Sequence, residues 1–263
     1  MIRDRIAAVR YGRETYMRNA ELYAFGRSTA CGAWYIDTSR IVCRLYFVNH
    51  GSATVRIAES EWRLSEGNFY ILPRSDRFAP IEAEDFDHTY FDFYSARILR
   101  PDRISALALS ACGAEHFLSF VNTLLASGEA EQEAMQSLLR GFLGAVEPFL
   151  PKDAFIEDAV IAEAVARIHT SFASVSTRAL AERAHLCESY FIRLFTEHVG
   201  ISPLGYIRAR RVLHAKALLA RGHSVEAAAE ACGYASPSAL YKAVRAETGK
   251  APSKLKNKNG GSG

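Results

Sequence analysis

The sequence predicts an α+β protein with two unlike halves. A β-rich N-terminal half of barrel or sandwich type leads through a helical connection to an all-α C-terminal half with two helix-turn-helix motifs. Three observations predict this. Between residues 34 and 94, short β-type runs alternate with turn residues about every ten positions. From residue 98 to 151, apolar residues recur at spacings of three and four, the period of a helix. Across residues 176–252 a short amphipathic helix, a tight turn and a second helix with a polar and basic free face occur twice, joined by one long helix.

Composition narrows the function classes. The chain has 263 residues, 49% hydrophobic and 23% charged, which gives room for one or two domains of an ordinary globular protein. No apolar run reaches the 18 or so residues of a membrane span. The start MIRDRIAAVRYGRE is charged and has no apolar signal core, so a cytoplasmic location and no membrane partner are expected. The five cysteines, Cys31, Cys43, Cys112, Cys187 and Cys232, show no CxxC or Cys/His spacing. Their odd number argues against a disulfide framework and leaves buried reduced thiols, or redox sensing, as readings. The net charge of +3 is uneven. Residues 1–152 hold 17 Lys and Arg against 19 Asp and Glu, a net of −2, while residues 153–263 hold 15 against 10, a net of +5. Positive charge therefore gathers where the helix-turn-helix pattern lies, as phosphate binding requires.

Taken in order, residues 1–30 read as an arm with one strand. The runs IVCRLYFV, ATVRIA, GNFYILP and HTYFDFY follow as strands. Asn49-His50-Gly51-Ser52, a charged stretch after residue 58, and Arg74-Ser75-Asp76 are read as the turns between them. Strand order, Gly51, Gly67 and Pro73 resemble a cupin-like effector domain. A cupin enzyme holds a metal with paired histidines, but His50 and His88 each stand alone, so no metal, cofactor or catalytic residue is assigned. The aromatic side chains suit a pocket for a small polar molecule, or else simply fill the barrel. Trp34, Arg44, Tyr46, Tyr70, His88, Tyr90 and Asp92 are the candidate effector-binding residues. Alternation with period two places His88, Tyr90 and Asp92 on one face of their strand, and Arg44 and Tyr46 on one face of theirs, without saying which face points inward.

Residues 98–152 predict two helices broken at Ser127-Gly128. Phe117, Phe120, Val121, Leu124 and Leu125 form one stripe; Leu138, Leu139, Phe142, Leu143 and Val146 form the other. The stripes either pack on their own barrel or supply a dimer interface. Pro148 and Pro151 mark a hinge. A helix over 155–169 then opens the C-terminal half, with Ile156, Val160, Ile161, Ala164, Val165 and Ile168 on its apolar face.

The first recognition helix is predicted over 188–198, with Phe191, Leu194, Phe195 and Val199 facing inward and Ser189, Ile192 and Arg193 facing out. Arg193 is placed to give a guanine two hydrogen bonds, and Ile192 to touch a thymine methyl. The second is predicted over 237–247, capped by Ser236 and led by Pro237. Ser238, Ala239, Lys242 and Arg245 are its DNA-facing candidates, the small residues offering little base readout. The joining helix, Pro203 to Ala220, is about 27 Å long. With the width of a packed helix added, the recognition helices come near the ~34 Å between successive major grooves.

Leu180-Ala181, Arg193-Leu194-Phe195, Gly200, Tyr206, Arg211, Ala215, Leu218-Leu219, Gly233-Tyr234, Ser238, Gly249 and Pro252 together resemble the DNA-binding domain of the AraC/XylS family of bacterial transcription regulators. Cys187 stands where that family usually has a capping Ser, and His185 where it has Gly. Ala227-Ala228 replace a Glu-Ile pair, and Leu240 and Val244 replace Phe. The resemblance implies a sequence-specific regulator of transcription. Its partners are double-stranded operator or promoter DNA, a small-molecule effector such as a sugar, RNA polymerase, and a second copy of the chain. A cupin-type enzyme fused to a DNA-binding domain, and a regulator without effector, are the alternatives. The expected organisation is an effector domain over 1–97, a helical linker and possible dimerisation region over 98–152, a DNA-binding domain over 153–256, and a disordered tail over 257–263.

Overall fold

The structure, a computed structural model, describes residues 20–32, 42–73, 78–95, 99–155 and 158–248. Residues 1–19 of the expected N-terminal arm, Trp34, the expected turn Arg74-Ser75-Asp76, Ile156 and the tail lie outside them, while the one strand expected in the arm is present as Glu21–Gly32. Six strands form one antiparallel sheet: β1 (Glu21–Gly32), β2 (Cys43–Ile57), β3 (Ser60–Ser65), β4 (Asn68–Leu72), β5 (Phe78–Tyr94) and β6 (Ser105–Ala108). Their order is β1-β5-β2-β4-β6, with β3 also paired to β2, so among the described residues the sheet is open at β1 and β6.

Two of the expected turns are corrected. Residues 49–52 do not end a strand, because β2 runs through them as a bulged segment with register shifts between Val48 and His50 and between His50 and Ser52. Gly51 makes this possible. Its φ is +71°, and a Cβ there would lie 2.3 Å from the carbonyl oxygens of Glu84 and Asp85 on β5. The charged stretch after residue 58 is largely a strand. Only Ala58 and Glu59 turn, and Ser60–Ser65 pairs back along β2 from Ile57↔Ser60 to Ser52↔Ser65.

The bulge also changes which residues face inward. Before it, Tyr46 and Val48 belong to the cluster on the inner face; after it, Ala53, Val55 and Ile57 do. This cluster is made almost wholly of sheet residues, as expected where a sheet curls over itself. The opposite face carries Leu45, Phe47, Phe69, Ile71, Phe91 and Phe93. With both faces covered, the central strands read as nearly continuous apolar runs.

Helices α1 (Ala114–Ser127) and α2 (Gln132–Val146) pack on that outer face. Leu118, Val121, Leu139, Phe142, Leu143 and Val146 are buried there, and Phe117 stacks on Phe142 at 4.4 Å between ring centroids. Both apolar stripes thus enter the sheet's own core, and Phe120 is left 52% exposed. After α2 the chain returns to its starting point, where Arg100 N–H donates to Ala154 O at 2.9 Å and Leu99 bridges Phe155. That bridge corrects the predicted start of the next helix. Helix α3 is Ala159–Ser171, and Asp158 caps it by accepting from Ile161 N–H at 3.0 Å.

The remaining helices are α4 (Thr177–Arg183), α5 (Glu188–Val199), α6 (Pro203–Ala220), α7 (Val225–Ala231) and α8 (Pro237–Thr248). Ser176, Ser202 and Ser224 accept from the amides of Ala179, Gly205 and Ala227, and Ser236 accepts from Ala239 N–H. Four serine caps therefore fix four helix starts, and the predicted limits of α6 are met. The two α-turn-α units repeat each other in detail. Ala181 and Ala229 are both buried at the helix crossing, and the turns contain His185 at φ +55° and Gly233 at φ +71°. Glycine is required in the second turn, since a Cβ on Gly233 would fall 1.9 Å from Ala173 O. Arg211 of α6 secures this junction by donating to Phe172 O (2.8 Å), Ala173 O (3.1 Å) and Gly233 O (3.3 Å).

Candidate functional site

The first surface is formed by α5 and α8. Phe191 and Phe195 of α5, and Leu240 and Val244 of α8, are fully buried and anchor each helix in its own core. That anchoring leaves Ser189, Ile192 and Arg193 exposed on α5, and Ser238, Lys242 and Arg245 exposed on α8, while Ala239 is half-buried. The buried pairs Phe191/Leu240 and Phe195/Val244 align the two helices. Ile192 then corresponds to Tyr241, and Arg193 to Lys242. Tyr241 is 41% exposed and was missed by sequence reasoning, which sought small and basic residues on that face. Tyr190 was missed too. It is exposed, and the Arg193 guanidinium lies 5.1 Å from its ring centroid, a cation–π contact that holds the cation at the start of α5. Cys187, at the cap position of α5, is exposed, and the Ser189 hydroxyl and the Tyr190 amide hold its thiol below the ordinary range.

The second site is the inner face of the sheet. Six of the seven effector-binding candidates lie in the described residues, and strand register gathers them. Tyr90, Tyr46 and Tyr70 stand side by side on β5, β2 and β4, while Asp92 and Arg44 form the next row and His88 faces Val48. Arg44 Nε lies 3.6 Å from Asp92 Oδ1, both groups being buried. The Tyr90 ring lies over Gly26 of β1, where a Cβ would come within 3.0 Å of its hydroxyl. Tyr70 also has a structural part, because its hydroxyl accepts from Ser65 N–H at 2.9 Å. Trp34 lies outside the described residues, so its place in this group is not seen. Trp62 of β3 packs against the same cluster, with its indole N–H buried and without an acceptor among the described residues. It was missed because its segment was read as a turn.

Electrostatically this face is close to neutral. Arg44 and Asp92 compensate each other, and burial pushes the Tyr46 phenol well above its ordinary value. His88 is stacked on Phe86 at 4.4 Å and lies 4.7 Å from the Tyr46 ring. Burial lowers its pKa from 6.5 to about 4, so the imidazole is uncharged at neutral pH. Among the described residues no group of His, Cys, Asp and Glu could hold a metal ion, and no helix is long and apolar enough to cross a membrane.

The lowered pKa of His88 has a stability consequence. The unfolded chain takes up this proton below pH 6.5, whereas the folded chain resists it down to about pH 4. Stability contributed by His88 is therefore fully present above pH 6.5 and is lost as pH falls from 6.5 towards 4, by up to about 3 kcal/mol. Urea unfolding at pH 7, 5.5 and 4.5 is expected to show a shallower loss for His88→Gln than for the parent chain. Equal losses would mean that His88 is not held neutral by burial.

Comparison with known proteins bears on the first surface. A family model described as "Helix-turn-helix domain" matches residues 180–258. The DNA-binding domain of AdpA, a global transcriptional factor solved in complex with a target DNA, is 32% identical, covering 37% of this chain and 89% of that one, with a TM-score of 0.35. An AraC-type transcriptional regulator from Chromobacterium violaceum is 23% identical over 38% of this chain and 95% of that one, TM-score 0.35. ToxT from Vibrio cholerae O395 is 12% identical over 90% of this chain and 96% of that one, TM-score 0.49. ToxT of strain SCE256, solved with an unsaturated fatty acid, is 14% identical over 89% and 91%, TM-score 0.48. No curated protein matches. Two helix-turn-helix units on one long helix, together with the family match over residues 180–258, show that the C-terminal half is a helix-turn-helix DNA-binding domain of the AraC type.

Proposed function

We propose that the chain is a sequence-specific regulator that grips two successive major grooves with α5 and α8, and whose grip is controlled by an uncharged small molecule bound on the inner face of the sheet. The observation that carries the DNA part is the repeat itself. Two capped helix-turn-helix units present equivalent exposed residues, Ile192-Arg193 and Tyr241-Lys242, at the two ends of one helix. A helix anchored by two buried side chains per unit presents its other face to a groove in a fixed orientation. Arg193, Ile192, Ser189, Ser238 and Tyr241 form the base-reading set in this account. Lys242 and Arg245 act on phosphates, and Ala239 lets α8 approach closely.

The effector part is supported by the neutral, aromatic character of the inner face. Tyrosine rings in one row suit the apolar face of a sugar or similar polar molecule. The Arg44–Asp92 pair and His88 offer hydrogen-bonding groups without net charge. A second copy of the chain and RNA polymerase complete the reading as partners implied by the family.

Duplexes selected from a random pool with the full chain test the DNA reading. Arg193→Ala is expected to weaken binding to the selected duplex by about 1–3 kcal/mol and to relax base preference at one position. Replacing Lys242 and Arg245 together is expected to lower the slope of log affinity against log salt by about 2, at roughly 0.9 per phosphate. Equal loss on selected and scrambled duplex would remove Arg193 from the base-reading set.

The effector reading is tested by titrating a panel of sugars and related metabolites with and without the selected duplex. A true effector changes affinity by the same factor in both directions, typically about 5- to 150-fold. A ligand that binds with identical affinity in both titrations would contradict control by that site.

A further inference from the structure

Helix α6 belongs to both halves of the molecule. Its side chains Ala209 and Leu213 share one apolar cluster with Tyr23, Val42 and Tyr94 of the sheet. Within that contact Arg210, only 3% exposed, donates to both carboxylate oxygens of Glu21: Nη1 to Oε2 at 2.8 Å and Nη2 to Oε1 at 2.6 Å. The same guanidinium lies 5.9 Å from the Tyr94 ring centroid, and the Lys216 ammonium lies 3.6 Å from that of Tyr23. Tyr206 of α6 donates to Ser95 O at 3.4 Å.

The sheet side of this contact is held from behind. Gln136 of α2 accepts from Leu22 N–H at 2.7 Å and donates to Ala20 O at 2.9 Å, while Arg140 Nε also donates to Ala20 O at 2.9 Å. Glu21 therefore stands on backbone that α2 fixes at both neighbouring residues. It also stands opposite Tyr94 in the β1–β5 register. Along β5 the order is Tyr90, Asp92, Tyr94, and Val42, the residue just before β2, is followed at alternate positions by Arg44 and Tyr46 on that strand, with alternate residues on one face. The surface on which α6 packs is thus the row next to Arg44 and Asp92.

We propose that the Glu21–Arg210 pair is a latch through which the inner-face site controls the DNA-binding half. The proposal rests on the reading of that face as the effector site. A ligand that draws on Arg44 or Asp92 displaces the adjoining row of Val42 and Tyr94, against which α6 is seated. Separating Glu21 from Arg210 leaves a buried guanidinium without its counter-charge, so the contact is held or released as a unit rather than by degrees. Because α6 carries a helix-turn-helix unit at each end, the latch fixes both at once, and its release lets them adjust to DNA.

The test uses the full chain, a labelled duplex selected from a random pool, and hydrogen exchange of segments 20–24 and 206–216. Glu21→Gln adds a net positive charge and Arg210→Gln removes one, so a plain charge effect moves DNA affinity in opposite directions. Release of a latch moves it the same way in both, and an increase of at least about threefold is expected from each. In the parent chain, adding the duplex is expected to speed exchange in both segments, a readout that needs no variant to fold. Asp92→Asn is expected to speed exchange at 206–216 as well, as the link to the inner face requires. Opposite or absent affinity changes, exchange unaltered by bound duplex, or an Asp92→Asn chain with unaltered exchange at 206–216 would each overturn the proposal. If the parent chain selects no duplex, the DNA-binding reading fails by itself. The latch is then judged on whether the two single variants speed exchange at 206–216, and unaltered exchange there would overturn it.

Discussion

The Glu21–Arg210 pair and the apolar contacts around it place one helix, α6, in three cores at once, and most of the architecture follows from that constraint. Tyr206 and Ile207 join the first helix-turn-helix core, Val212, Ala215 and Leu219 join the second, and Ala209 and Leu213 join the sheet. A helix covered on so many sides cannot have one apolar stripe, and the mixed sequence of α6 reflects this. Arg211 and Arg210 occupy neighbouring positions with opposite duties. One gathers three backbone carbonyls inside the DNA-binding half, and the other closes the ion pair across to the sheet.

The two faces of the sheet are buried for different reasons. The outer face is a close-packed aromatic core in which Phe47, Phe69, Phe91, Phe117 and Phe142 touch one another, each contact worth about 1 kcal/mol beyond its area. The inner face buries Arg44, Asp92 and His88 among aromatics, a set whose desolvation costs stability rather than adding to it. Such groups are retained at functional sites more readily than in a plain core. An uncharged imidazole and a compensated ion pair leave this buried set without net charge at neutral pH.

The helical half was legible because its signals are local. Serine caps, Pro203 and Pro237 in first turns and apolar spacings of three and four lie within a few residues of what they determine. The sheet was legible only in part. Gly51 looked like a turn because a bulge and a turn use the same backbone freedom, and β3 escaped notice because Trp62 and Leu64 are its only large apolar residues. Period two placed Arg44 with Tyr46 and His88 with Tyr90 and Asp92, but only strand register could bring the two groups together. Tyr241 became visible through the three-dimensional match to Ile192. No local pattern links Glu21 to Arg210, which are 189 residues apart.

The central claim is that α6 holds two reading helices at the separation of successive major grooves on one face of DNA. A hydroxyl-radical footprint of the full chain on a selected duplex tests this most directly. The account predicts two protected patches about one helical turn, roughly 10 base pairs, apart on the same face. A single protected patch, or two patches on opposite faces, would contradict it.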